Sequence, residues 1–281
     1  MAQTGQLTGA PAAAGPLLGP VARLRIVILA TVILTWEAVA ASGLLFQDVV
    51  PSFVTIGRSL VELLAHPDLK WPVDASVGGF RLTFDLWIPA FYWHLYVTIA
   101  EVAVALAIGG LSGLAVGLAL GANPFLSAAF ERFLYYLGPT PKIVFLPVMI
   151  MWFGVGPESK VAMGTISCFF PVVLSAAAGM RQIDNVLIRV GRSFRLNTRQ
   201  MVTKIYLPAM RQPIVNGVRL GLGVALIGTL LAETKLSNKG VGFQIMDAYN
   251  TFDMPRMYAV LGVLFVIAIG ANALVGRASR G

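Results

Sequence analysis

The chain reads as an all-α integral membrane protein with six transmembrane helices, and three observations carry that prediction. It is 57% hydrophobic and only 12% charged, whereas soluble domains carry about 25% charged residues. Its apolar residues gather in runs of about 20, enough to cross a hydrocarbon core. Basic and acidic connecting segments alternate between those runs, as expected when Lys and Arg near span ends stay on the cytoplasmic side. The net charge of +8 would suit nucleic acid, but the cations sit beside the apolar runs. They are read as topology signals and neighbours of lipid headgroups, with no nucleic-acid partner expected. One cysteine, Cys168, rules out an internal disulfide framework and a CxxC metal site. His66 and His94 lack metal-ligand spacing, so no metal or cofactor is expected.

Residues 1–22 are rich in Ala, Gly and Pro and predict a disordered cytoplasmic N-terminus. Residues 23–93 form a first unit. Arg23 and Arg25 precede the first span, Ile26–Leu45, which is too long for the apolar core of a signal peptide. Glu37, near its middle, reads as a protonated or hydrogen-bonded packing residue in preference to a pathway residue, since a bare carboxylate there is costly. Phe46–Trp93 then holds Asp48, Glu62, Asp68, Asp74 and Asp85 against Arg58, Lys70 and Arg81, a balance that places it outside. Ser52 is placed to cap a short helix over Ser52–Leu64, and Trp71, Trp87, Tyr92 and Trp93 resemble interfacial anchors.

Residues 94–278 supply the other five spans. The second, Tyr96–Leu120, carries Gly109, Gly113 and Gly117, with Gly121 at the same interval. This smooth strip suits close packing either inside the chain or against another copy. Asn123-Pro124 makes an inner turn. The third region, Phe130–Phe153, is broken by Pro139, Pro141 and Pro147, and broken spans are tolerated where protein covers them or they line a cavity. Gly154–Lys160 turns outside and Val161–Ala178 returns. Pro213–Leu231 is the fifth span, with Arg219 near its inner end. Glu233–Arg256 reads as an outer loop holding Gly240-Val241-Gly242, and Met257–Val275 is the sixth span. Arg277 and Arg280 keep the C-terminus inside. Glu37, Glu101 and Arg219 are scattered too widely along the chain to name a site.

The central loop, residues 180–212, carries Arg181, Arg189, Arg192, Arg195, Arg199, Lys204 and Arg211 against one acid, Asp184. Val186, Val190, Phe194, Met201 and Ile205 recur at helical intervals. The loop therefore predicts a short amphipathic helix that shows an apolar face to something in the cytoplasm. HExxH, GxSxG and GxxxxGK[ST] are absent from the sequence, so no enzyme motif competes with that reading.

The loop resembles the cytoplasmic signature of permease subunits of bacterial ABC importers. That signature is Glu-Ala-Ala, a Gly four residues on, and Ile-x-Leu-Pro about ten residues later. The matching positions are Arg189-Val190-Gly191, Arg195 and Ile205-Tyr206-Leu207-Pro208, with arginine where the family has Glu and Gly. Pro51-Ser52, Leu146-Pro147, Trp152-Phe153-Gly154-Val155-Gly156, Ser159-Lys160, Phe170-Pro171-Val172-Val173, Gly217-Val218-Arg219-Leu220 and Gly240-Val241-Gly242-Phe243 are similar to the sulfonate/taurine/nitrate branch. The resemblance runs from about Pro51 to Leu274.

It implies a type I ABC importer permease architecture, multi-pass in the bacterial inner membrane with both termini cytoplasmic. A coupling helix within Leu187–Leu196 would meet the ATPase through Arg189, Val190, Gly191, Arg192, Ser193, Phe194, Arg195 and Leu196, closed by Leu207 and Pro208. The implied partners are an ABC ATPase subunit dimer, a second copy of the permease, an extracytoplasmic solute-binding protein and membrane lipid. ATP hydrolysis would belong to the ATPase chain, so the permease is not itself an enzyme. Pro141, Phe145, Met149, Phe169 and Thr229 would line the translocation path. The implied cargo is a sulfonate, taurine, nitrate or similar small anion, with a pyrimidine precursor, riboflavin or an aromatic carboxylate as alternatives within the family. A secondary, ion-coupled transporter is the rival class. It usually shows internal repeats, and Ile26–Leu120 and Pro213–Val275 show no convincing duplication. The two arginines in the signature imply added acidic character in the ATPase groove.

Overall fold

Residues 19–43, 49–77 and 80–278 are described by a computed structural model, so residues 1–18 of the expected disordered N-terminus lie outside it. The chain divides between Thr55 and Ile56 into two compact units. In the first, helix α1 (Pro20–Ser42) starts at a proline whose missing N–H costs nothing at that position. Pro20, Val21 and Ala22 are therefore helical, although the sequence placed them in the disordered segment. The helix stops at Gly43 in a left-handed conformation (φ 64°). Glu37 Oε1 accepts from Phe53 N–H at 2.7 Å, and Trp36 Nε1 donates to the Pro51 carbonyl at 3.0 Å. Glu37 is thus a hydrogen-bonded packing residue. It meets an N–H that the start of helix α2 (Phe53–Ala65) would otherwise leave open. Ser52 Oγ accepts from Thr55 N–H at 3.3 Å, as a cap should.

The second unit departs from an all-helical chain in one place. Strands β1 (Leu69–Val77) and β2 (Phe80–Ile88) pair antiparallel with Leu69 opposite Ile88 and Val77 opposite Phe80. The signal was present in the strict alternation Phe80, Leu82, Phe84, Leu86, Ile88; the charged residues between them had been read only for topology. Asp68 Oδ1 accepts from Ala90 N–H at 2.6 Å, closing the base of the hairpin onto the next helix.

That helix, α3 (Ala90–Ala122), has 33 residues and at 1.5 Å per residue is about 50 Å long. It outruns both a hydrocarbon core of about 30 Å and the expected Tyr96–Leu120. Helix α4 (Pro124–Leu137), capped by Asn123, a 3₁₀ turn (Lys142–Phe145) and helix α5 (Leu146–Phe153) form the proline-broken region, bent by 96°. Helix α6 (Pro157–Arg181) returns. After the central loop come α10 (Arg211–Leu236), α11 (Val241–Asn250) and α12 (Met254–Ala278). Among the described residues, α1, α3, α6, α10 and α12 are long and apolar enough to cross a membrane, and the bent α4–α5 pair brings the number to six if it is one broken span rather than a re-entrant loop.

Helix α6 is the hub, packed between α3 and α10. The glycine strip of α3 is spent here. A Cβ on Gly113 would sit 2.9 Å from the Phe169 carbonyl, and one on Gly117 would sit 2.5 Å from Ala176 Cβ and 2.7 Å from the Val173 carbonyl. Of the two uses the sequence allowed, the strip serves contact inside the chain. Cys168 is buried beside Val102, Val172 and Ala225 as a small packing residue. We therefore expect Gly117→Val to force α3 off α6 and cost about 1–3 kcal/mol, read as a lower Tm of the purified chain. Gly110→Ala, where a Cβ meets nothing within 4 Å, leaves Tm unchanged.

Candidate functional site

The cytoplasm-facing loop of the sequence reading folds into helix α7 (Asn185–Ser193), followed by α8 (Thr198–Met201), a π turn (Val202–Tyr206) and α9 (Leu207–Ala209). Asp184 caps α7 by accepting from Val186 N–H at 2.8 Å. Asn197 and Gln200 form a reciprocal capping box for α8. The π turn goes with Pro208, which has no N–H to return to the Lys204 carbonyl.

One side of α7 is anchored. Ile188 packs against the buried cluster of Ala176, Met180, Ile183 and Met210, which Tyr206 and Ile214 also join, so α7 rests on the π turn and on a cluster that the ends of α6 and α10 share. Gly191 is buried, and a Cβ there would lie 2.5 Å from both Ile205 Cδ1 and Met201 Sδ. The other side is bare. Val186, Leu187 and Val190 are 44–49% exposed and Phe194 is 76% exposed; residues three and four apart share a helix face, so these four make one apolar strip. Arg189, Arg192, Ser193 and Arg195 are exposed beside it and Leu196 is half-buried, as is Leu207, while Pro208 is exposed.

Arg195 closes the helix with φ +50°, its N–H bonding the Arg192 carbonyl at 2.9 Å and that of Leu196 reaching back to Gly191 at 3.1 Å. This is a left-handed helix stop, the conformation glycine adopts most readily. It gives a physical reason for the glycine of the signature, and shows that arginine here is strained rather than impossible.

The five residues considered for a path do not share one cavity. Pro141 lines a cavity of about 560 Å³ between the bent α4–α5 segment, α6 and α10. Met149 and Phe169 line another of about 840 Å³ beside α3 and α6. Phe145 packs on Leu146 and Met163. Thr229 is fully buried, its Oγ1 against Gly164.

A polar cluster went unseen in the sequence. Glu233, assigned to an outer loop, lies inside α10 and is 1% exposed. It neighbours Glu101 across the contact of α3 with α10. Glu233 also accepts from Thr98 Oγ1 at 2.7 Å and from Gly242 N–H at 2.6 Å. Val241 N–H donates to Thr98 Oγ1 at 2.8 Å and Gly240 N–H to His94 Nδ1 at 3.0 Å. Three side chains therefore take up the three amides that open α11 and set that helix against α3 and α10. The clue in the sequence is spacing: Thr98 and Glu101 lie three apart and Thr229 and Glu233 four apart, each pair on one helix face. Arg219 is separate from this cluster, donating through Nε to Asn272 Oδ1 at 2.8 Å.

Residues 80–280 match the family model described as binding-protein-dependent transport system inner membrane component. The chain is 29% identical to the taurine transport system permease protein TauC of Escherichia coli (strain K12), over 90% of this chain and 88% of that one. It is 28% identical to the putative aliphatic sulfonates transport permease protein SsuC of Bacillus subtilis (strain 168), over 86% and 79%. A chain of the MetNI methionine ABC transporter, solved in inward-facing conformations, superposes with a TM-score of 0.61 at 19% identity, over 68% of this chain and 95% of that one.

Two outcomes follow from this geometry. Arg195→Gly relieves the left-handed strain and raises stability by about 1 kcal/mol, measured by denaturant unfolding in detergent. Glu233→Ala strands the Gly242 amide and costs about 1–3 kcal/mol, with faster amide exchange at Val241 and Gly242 as the local signature.

Proposed function

The chain belongs to the family of binding-protein-dependent transport system inner membrane components, and from that premise we propose that it is the permease subunit of an ATP-driven importer whose α7 receives the work of a separate ATPase. It is a transport permease of the inner membrane, with the fold of type I ABC importer permeases. One observation carries the proposal: α7 exposes an apolar strip of Val186, Leu187, Val190 and Phe194 while its reverse side packs on the π turn and, through Ile188, on a buried cluster that the ends of α6 and α10 share. An exposed apolar strip wants a partner. A rigid reverse side lets a push on that strip reach the spans.

In this reading Arg189 to Leu196 seat in a groove of the ATPase, and Leu207 and Pro208 close the segment. Val190 and Phe194 provide apolar contact, and Arg189, Arg192 and Arg195 reach acidic or carbonyl groups. Closure of two ATPase subunits on ATP draws two copies of α7 together. Through Met180, Ile183 and Met210 that motion tilts α6 and α10, and with them the bundle, so that access alternates between the two sides. ATP hydrolysis resides on the other chain, consistent with the lack of a GxxxxGK[ST] loop in this sequence. Two copies of the permease form the path, an extracytoplasmic solute-binding protein delivers the cargo, and lipid surrounds the spans. Arg23 and Arg25 at one end, with Arg277 and Arg280 at the other, support cytoplasmic termini. The likeness to relatives named for taurine and aliphatic sulfonates favours a small anion as cargo.

Phe194→Asp places a charge on the apolar strip and should cut co-purification of the ATPase, and uptake by the assembled importer, by about tenfold (about 1.4 kcal/mol). Wild-type values in both assays would remove α7 from the coupling role.

A further inference from the structure

We propose that the 560 Å³ cavity beside the bent α4–α5 segment is a transit site for an organic anion with an apolar body, and that Lys142 is its charge-selecting residue; this rests on the importer reading above. The volume falls in the range of small-molecule sites, about 300–1,000 Å³. Its walls are apolar, including Pro141, Ile143, Phe170, Leu174, Val224 and Leu231, and Lys142 is the sole charged residue among those lining it. The Lys142 ammonium donates to the carbonyls of Leu137, Gly138 and Thr140 at 3.0, 2.5 and 2.7 Å. It stands 4.8 Å from the centroid of the Phe170 ring. None of these partners is an anion, and the one ion pair among the described residues is Arg181–Glu131.

The carbonyls offer Lys142 the partial negative charge of a helix end, worth about half an elementary charge. These carbonyls engage all three ammonium N–H groups, so the charge they leave uncompensated acts on the cavity through space, where low polarity strengthens its reach. Three classes of solute then separate. A sulfonate or carboxylate on an aliphatic or aromatic body satisfies the cation and covers the apolar wall. An inorganic anion such as nitrate satisfies the cation, loses its hydration and leaves the wall bare. A neutral solute of the same shape covers the wall and gains nothing from the charge. The cavity thus favours organic over inorganic anions within the cargo class, on the permease itself.

The test is equilibrium dialysis of labelled butanesulfonate and its neutral analogue butanesulfonamide against the permease–ATPase complex in phosphatidylcholine nanodiscs, with empty nanodiscs subtracted. The wild type should bind the sulfonate about tenfold more tightly than the sulfonamide (about 1.4 kcal/mol). Lys142→Met should bring that ratio to about one and Lys142→Arg should preserve it, whereas loss of a merely structural lysine would weaken both ligands alike. Ile227→Trp fills the cavity from α10 without touching the lysine's carbonyls, and should weaken both ligands and keep the ratio. A ratio unchanged in Lys142→Met, displacement of butanesulfonate by equimolar nitrate, or no saturable binding to the wild type would each overturn the assignment. Stimulation of ATP hydrolysis by the cognate binding protein, measured on the same wild-type complex, reads the importer assignment separately. Its absence overturns that reading, and the transit role with it, whatever the cavity binds.

Discussion

Everything in the larger unit hangs on how closely α3 can approach α6. In lipid, apolar surfaces gain little by leaving their surroundings for one another, so helices associate by intimate van der Waals contact and a few polar bonds. Gly109, Gly113, Gly117 and Gly121 make that approach possible by presenting bare backbone to the carbonyls and small side chains of α6. Helix α10 brings Gly217, Gly221 and Gly228 to the other side of the same helix. With α6 gripped on both sides, the cavities along it have fixed walls and the anchor of α7 has a fixed floor.

The second kind of bond, polar contact inside an apolar bundle, is concentrated at the opposite end from α7. Thr98, Glu101, Lys160, Glu233 and Gln244 are all at least nine-tenths buried. The hydrogen bonds of Thr98 and Glu233 run to the amides that begin α11 and between α3 and α10, so the helices are cross-tied where the glycine strip does not reach. Lys160 is used differently, donating to the carbonyls of Val155 and Gly156 just beyond α5. The two lysines of the bent region thus perform the same local task, each satisfying carbonyls released where a helix stops. Lys142 also lines a cavity while doing so.

The parts that were legible in the sequence are those whose signal is local and repeated. The spans followed from apolar length, the bend from Pro139, Pro141 and Pro147, and α7 from the recurrence of Val186, Val190 and Phe194, with its end displaced by about one turn from the expected Leu196. What escaped notice required knowing which helices face each other. Glu101 and Glu233 lie far apart in sequence, and neither carries a mark of the other. The β1–β2 hairpin escaped for a different reason. Its alternating residues sit among charges that compete for attention as topology signals, and alternation is a weaker cue than a run of 20 apolar residues. For the residues of the cavity, the prolines mark Gly138–Pro147 as a candidate stretch, whereas nothing in the sequence singles out its one charge, Lys142.

The crowding around Gly191 reaches beyond this molecule. An alanine at this position would need the ends of Met201 and Ile205 to move, because they already occupy the volume of the missing methyl. The helix and the segment beneath it therefore fit one another as a lock and its keyway do. Anyone building chimaeric importers should exchange residues 184 to 210 as a single cassette, since a graft of α7 alone would arrive without its seat.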